Sequence, residues 1–263
     1  MKKLLTLLWL TSAAALIVSG AEKLRIADAT GSGMAAFSRI VFGFATQNDV
    51  EIAYHRLEVA TALEKLSLGE TDLVLLRKED LPKDFSGAET VCAYRVLVAV
   101  VNMRNPLRGI TRNHLKRLLS EPRPRWDFKG GSGAEVRRVA LKGRDGGPLG
   151  FGQLGLFKTA PGILALERPE QLWLFVGANV EALAVLPFAR ELPEGLTALK
   201  IDGAAPTLNN IRSGRYPLTE VFCAVTAAAP AAPARGLVRC FAGREFSDLL
   251  EEEGALAPPP RAI

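Results

Sequence analysis

Two glycine-rich stretches hold the residues of this chain best suited to chemistry. The first, "ATGSGMAAF", sets Ser32 and Gly33 between an apolar run and the opening of a helix. The second, "GRDGGPLGF", places Arg144 just before Gly146 and Gly147. Glycine turns feeding helix N-termini offer backbone N–H donors and the positive end of the helix dipole. An arginine adds a planar, bidentate donor. Together these suit a small anion. Arg77, at the end of "TDLVLLR", is a further cationic candidate. Ser32 also fits as the N-cap of a helix starting near Met34, and the two roles are compatible. His55 and Arg56 end the run "VEIAYHR", either facing a cleft or lying on the surface.

Gly31, Gly33 and Ala36 also match the G-x-G-x-x-A spacing of a dinucleotide fingerprint. That fingerprint needs an acidic residue at the end of the second strand. Tyr54, His55 and Arg56 stand there, and Glu51 comes too early. Arg56 suits only a 2′-phosphate, so an NADP-dependent exported protein is the third-ranked reading. No Cys–His, Ser–His–Asp, paired-carboxylate or zinc spacing is present, and His55 and His114 lack motif context. The chain therefore reads as a non-enzyme without metal or cofactor.

The elements that must position these loops alternate. "KLRIAD", "VEIAYHR" and "TDLVLL" read as strands. "MAAFSRIVFGFATQ" and "EVATALEKLSLG" carry apolar residues at helical spacing, with Gly69 as a C-cap. This is a parallel α/β unit. "VLVAVVN" (96–102) is a buried strand, "ITRNHLKRLLS" a helix capped by Thr111, and "VRRVAL" a strand. The second glycine loop leads into another helix. "PEQLWLFVGAN" starts helical, "ALAVLPF" and "EVFCAVT" are strands, "AAAPAAPARG" is an exposed low-complexity linker, and "REFSDLLEEEG" is an amphipathic helix with a solvated acidic end.

The chain has 263 residues and a formal net charge of +5. Lys2 and Lys3, an apolar run from Leu4 to Val18, and small residues at Ser19, Gly20 and Ala21 follow the order of a secretory signal peptide. The apolar run is shorter than the about 20 residues of a membrane span. Cleavage before Glu22 leaves about 240 residues, enough for one large or two small domains. Loss of Lys2 and Lys3 lowers the net charge to +3, which suits an anionic ligand. Cys92, Cys223 and Cys240 lack metal-ligand spacing. They are small apolar fillers, or Cys223 and Cys240 pair and leave Cys92 free. The basic stretch "RNPLRGITRNHLKRLLSEPRPRW" carries no nucleic-acid motif and reads as a solvated face that steers anions.

Three stretches, taken in order, resemble one family. "VLVAVVNMRNPLRGITRNHLKRLLS" with Trp126 is similar to a crossing strand, an Asn-x-x-Asn-Pro turn and a short helix. "LKIDGAAPTLNNIRSGRYPLTEVFCAVT" contains the I-x-S-G-x-Y-P-L pattern through Ser213, Gly214, Tyr216, Pro217 and Leu218. "FAGREFSDLLEEEGALAPP" is similar to the family's C-terminal helix and proline-bearing end. The family is that of the PstS-like phosphate-binding receptors of ABC importers.

The resemblance implies an α/β, two-lobed type II periplasmic binding fold with a ligand cleft between the lobes. It implies residues 1–21 as signal peptide, 22–100 and 188–263 as the first lobe, and 101–187 as the second. It further implies a periplasmic monomer that binds phosphate or a similar oxyanion and serves an ABC transporter permease. The implied ligand residues are Ser32, Gly33, Arg77, Arg144, Gly146 and Gly147. Several donors of the family pattern are replaced: His55 to Glu58 occupy a glycine- and serine-rich loop, Leu76 a small hydroxyl, and Pro148 and Gly150 two more. The alternative is a degenerate module of this kind with a sensing or partner-binding role.

Overall fold

The structure, a computed structural model, describes residues 22–31, 34–143, 147–156, 161–188 and 192–259. Its first half alternates strand and helix: β1 (Glu22–Asp28), α1 (Ala35–Asn48), β2 (Val50–Arg56), α2 (Val59–Ser67) and β3 (Leu73–Arg77). Strand β1 lies between β2 and β3, parallel to both, and Asp28 is level with Arg56 and with Leu75. The loops after all three strands therefore open on one edge of the sheet. Helix α1 buries Ala36, Phe37, Ile40, Val41 and Phe44, a stripe at helical spacing. The run from Leu73 to Leu76 is wholly buried, as expected where helices cover both faces.

Strand β4 (Ala88–Asn102) is 15 residues long, about 50 Å of extended chain at 3.3 Å per residue. Only its second part was visible in the apolar run; the first, from Ala88, carries polar residues. Beyond β4 come β5 (Gly109–Ile110), α3 (Arg112–Ser120), β6 (Arg137–Leu141), β7 (Ile163–Leu166), α4 (Pro169–Ala178) and β8 (Ala182–Pro187). Then follow β9 (Leu196–Ala198), β10 (Lys200–Ile201), α5 (Leu208–Arg212), β11 (Thr219–Thr226), α6 (Ala232–Cys240), α7 (Arg244–Glu252) and β12 (Ala255–Leu256). The main sheet runs β2-β1-β3-β11-β4-β8-β6-β7, and β9 and β12 also pair with β4.

One strand thus serves two half-sheets. β11 pairs with β4 from Ala88 to Val96, whereas β8 pairs with it from Leu97 to Val101. At the changeover the Phe188 N–H donates to the Val96 carbonyl (2.9 Å) and the Leu97 N–H to the Leu218 carbonyl (3.0 Å). Alternation along β4 splits the second core: Leu97, Ala99 and Val101 face Trp126 and Leu115, while Val98 and Val100 face Leu172 and Val176. Leu199, Ile201, Ile211 and Tyr216 join the Trp126 core. Gly254, between α7 and β12, has φ +69°, and a Cβ there would lie 2.6 Å from the Pro187 ring.

Three expectations need correction. The Ala/Pro stretch is not simply an exposed linker, because α6 starts within it at Ala232 and buries Pro233 and Ala234. The described part of the second glycine loop holds only a 3-10 turn, Gly152–Leu154. Pairing of Cys223 with Cys240 does not occur, and all three cysteines are free. Cys223 packs with Ala62 and Val74 on one face of the first half-sheet, and Cys240 lies beside the Phe37 core on the other. The apolar-filler reading fits this placement.

Arg138, 3% exposed, holds the end of α3. Its guanidinium donates to the carbonyls of Leu119 (3.2 Å), Glu121 (2.7 Å), Pro122 (3.2 Å) and Pro161 (2.6 Å). Burial pulls its pKa down. Arg138→Leu strands these acceptors and is expected to cost about 2–5 kcal/mol of unfolding free energy by denaturant titration. Burial, reinforced by the hydrogen bond to Glu89, pushes the Cys223 thiol up to about 12. Native protein at pH 8 is therefore expected to leave Cys223 unmodified by iodoacetamide, read by peptide mass, until denaturant is added.

Candidate functional site

The strand ends carry two concavities. The first, about 640 Å³, lies at the ends of β1 and β2 and is lined by Asp28, Thr30, Gly31, Arg56, Glu58 and Thr61. Its charge is mixed. The Asp28 carboxylate accepts from the Thr30 N–H (3.0 Å), the Thr30 hydroxyl (2.7 Å) and the Tyr54 hydroxyl (2.7 Å). Burial and then the Asp28 charge push the Tyr54 phenol up, so it stays a donor to that carboxylate. Arg56 lines this hollow, whereas His55 is exposed.

The second concavity, about 270 Å³, is the cleft between the halves. One wall carries Arg77, Glu79 and Glu220; the other carries Arg112, Lys116 and the backbone at Gly152 and Gly155. Pro217 and Leu218, from the I-x-S-G-x-Y-P-L stretch, line the passage between them. Tyr216 of the same stretch is 1% exposed and belongs to the core rather than the site.

Arg77 reaches the cleft but is already engaged. It donates to Asp80 through Nε (2.8 Å) and Nη2 (3.2 Å) and pairs with Glu79 (3.2 Å) and Glu220 (3.9 Å). Burial alone would lower its pKa, but these carboxylates outweigh it and raise it. Glu220 stands level with Arg95 across β11 and β4 and binds that guanidinium at 2.5 Å. Arg112 and Lys116 differ. They sit one turn apart on α3, and neither side chain makes an ion pair or hydrogen bond among the described residues.

Of the other expected ligand residues, Ser32, Gly33, Arg144 and Gly146 lie outside the described residues. The Gly147 carbonyl accepts from the Gly143 N–H at 2.6 Å. Helix α1 has Met34 at its N-cap without a side-chain cap. Instead the Ala36 N–H donates to Glu253 Oε1 (2.9 Å) from just beyond α7. Nearby, Glu252 binds Arg39 at 2.5 Å. The acidic end of "LLEEEG" is therefore not simply solvated: one of its carboxylates occupies the helix start expected to receive an anion.

Sequence reading missed Arg112, Lys116, Glu220 and Glu253. Their signals existed: Arg112 and Lys116 share one helix face at i, i+4, and Glu220 opens an apolar strand. What was lacking was the knowledge that α3 faces β3 across the cleft. Charge follows the same division. Residues 96–218 hold 18 Lys and Arg against 10 Asp and Glu, while 22–95 with 219–263 hold 13 against 18.

No protein-family model matches the chain, and no curated protein matches it in sequence. Solved structures do. A possible phosphate-binding protein from Planctomyces limnophilus has a TM-score of 0.70 at 15% identity, covering 91% of this chain and 94% of its own. PstS from Borrelia burgdorferi has a TM-score of 0.67 at 15% identity, covering 90% and 98%. An ABC-type phosphate transport receptor from Vibrio cholerae has a TM-score of 0.65 at 18% identity, covering 90% and 100%. At such identities the shared property is the fold: a two-lobed type II periplasmic binding fold. Among the described residues no helix is long and apolar enough to cross a membrane.

Glu253→Gln keeps an acceptor for Ala36 but removes the charge at the start of α1. It is expected to lower the unfolding free energy by about 0.5–1 kcal/mol at low ionic strength, with the difference fading in high salt. An unchanged denaturation midpoint at low salt would rule out this capping role.

Proposed function

We propose that this chain is a periplasmic solute-binding protein that captures phosphate or a similar small oxyanion between its lobes and presents it to an ABC transporter permease. In this reading residues 1–21 are a cleaved signal peptide, and the mature chain works as a monomer without a cofactor or catalytic step. The observation that carries the reading is the cleft itself. Two α/β halves share one strand, and the cationic side chains of the second half face the strand ends of the first across a gap.

Such a hinge lets one anion draw both walls together, and the closed form is what a permease distinguishes from the open one. The surplus of Lys and Arg between residues 96 and 218 adds long-range attraction for an anion. The lobe division belongs to the proposal as well. Residues 22–100 with 188–263 and residues 101–187 are its outline. The packing of β10 and α5 with the Trp126 core and of β9 with the Leu172 core supports moving the stretch 196–218 to the second lobe.

Isothermal titration with phosphate, arsenate, sulfate and molybdate tests the reading. Phosphate or one of the others is expected to release or absorb heat at a one-to-one stoichiometry. Small-angle scattering is expected to show a smaller radius of gyration once the ligand is bound. Arg144→Ala, chosen from the sequence resemblance, is expected to weaken binding at least tenfold, about 1.4 kcal/mol. Absence of heat with all four anions would select the degenerate-module reading instead.

A further inference from the structure

We propose that the anion is seated on α3, between the Arg112 guanidinium and the Lys116 ammonium, rather than on the N-terminus of α1, and that it is a phosphoryl dianion. This deepens the oxyanion-binding reading above and rests on it.

The first observation is at α1. Its Ala36 N–H, one of the backbone donors that would receive an anion, is bonded to the Glu253 carboxylate. A second anion there would meet that negative charge directly. The hollow beside it has the Asp28 carboxylate as a further repelling group, with Glu58 on its rim.

The second observation is the pattern of pairing in the cleft. Both acidic groups on its wall already have arginine partners: Glu220 pairs with Arg95 and Arg77, and Glu79 with Arg77. Arg77 in turn gives its bidentate face to Asp80. At α3 the Arg112 backbone N–H likewise donates to a carboxylate, Asp202 Oδ1 (3.0 Å), but the Arg112 guanidinium and the Lys116 ammonium make no ion pair or hydrogen bond among the described residues. Like charges at i, i+4 repel, so the pair is arranged at a cost unless a counter-anion joins it. Gly155 borders the ammonium directly, since a Cβ there would touch Lys116 Nζ at 3.7 Å.

Size and charge set the ligand class. Two unmatched positive charges suit a dianion, and a guanidinium suits the planar fork of two phosphoryl oxygens. The cleft volume, about 270 Å³, corresponds to about nine waters at roughly 30 Å³ each. A bare tetrahedral oxyanion fills only part of that, so both free phosphate and a small phosphate monoester fit.

The test is calorimetric titration of the full mature chain with orthophosphate and, separately, glycerol 3-phosphate. Arg112→Ala/Lys116→Ala is expected to weaken binding of the preferred ligand at least 100-fold, with its thermal midpoint within 2 °C of the parent. Arg112→Lys with Lys116 intact is expected to retain binding within about tenfold, and Glu253→Gln to leave it within twofold. Tighter glycerol 3-phosphate binding identifies the ester form of the dianion, and tighter orthophosphate binding the free form. Binding by the double variant within twofold of the parent overturns the seat on α3. So does a tenfold gain in Glu253→Gln, which would place the anion on α1. If neither probe binds the parent protein but sulfate or molybdate does, the phosphoryl assignment fails and the oxyanion reading stands; if none of these anions binds, both fail.

Discussion

The architecture depends on β4 being hydrogen-bonded to both half-sheets at once. A strand of 15 residues has one ladder on each side, and here those ladders change partners at Val96 and Leu97. Each half keeps its own pair of cores, divided by the pleat, so apolar burial stabilises the halves separately. The changeover itself is buried, with Val96, Leu97 and Leu218 in the Trp126 core. Every cleft residue owes its place to this arrangement. Arg77 and Glu220 stand at strand ends on one side of the changeover, and Arg112 and Lys116 stand on a helix from the other.

Within the first half, local sequence carried most of the information. The parallel strands β1, β2 and β3 and helices α1 and α2 have periodicities that match their burial, and Gly69 adopts φ +69° just after α2. Thr111 caps α3 through the His114 N–H as its sequence position suggested. The failures have physical causes. The first part of β4 is interrupted by Glu89, Thr90 and Arg95; Glu89 pairs with Lys78 just after β3, and Arg95 with Glu220 across β4 and β11. Helix α6 begins with alanine and proline, a composition shared with linkers, and is made a helix by the burial of Ala234 and Leu237 against the Phe37 core.

The site was less legible because its properties come from long-range pairing. Reading Arg77 as a ligand group required that its charge be available, and three carboxylates from its own half use it. Reading α1 as an anion receptor required an unfilled start, and Glu253 arrives there from 217 positions away in sequence. By contrast, the basic face of α3 looked like ordinary solvated surface until the fold brought it opposite β3. Availability of charge, rather than its presence, separates these cases. The cysteines teach the same lesson in reverse, since the alternative of a Cys223–Cys240 pair is defeated by a sheet that puts the two on opposite faces.

Gly254 and Pro187 meet beside this changeover of pairing, with no room for a methyl between them and a backbone angle that favours glycine. In mechanical language a side chain at this position would be a wedge: it would have to push the C-terminal strand away from the Pro187 ring. The close seating of β12 beside the end of β8 therefore depends on one missing Cβ.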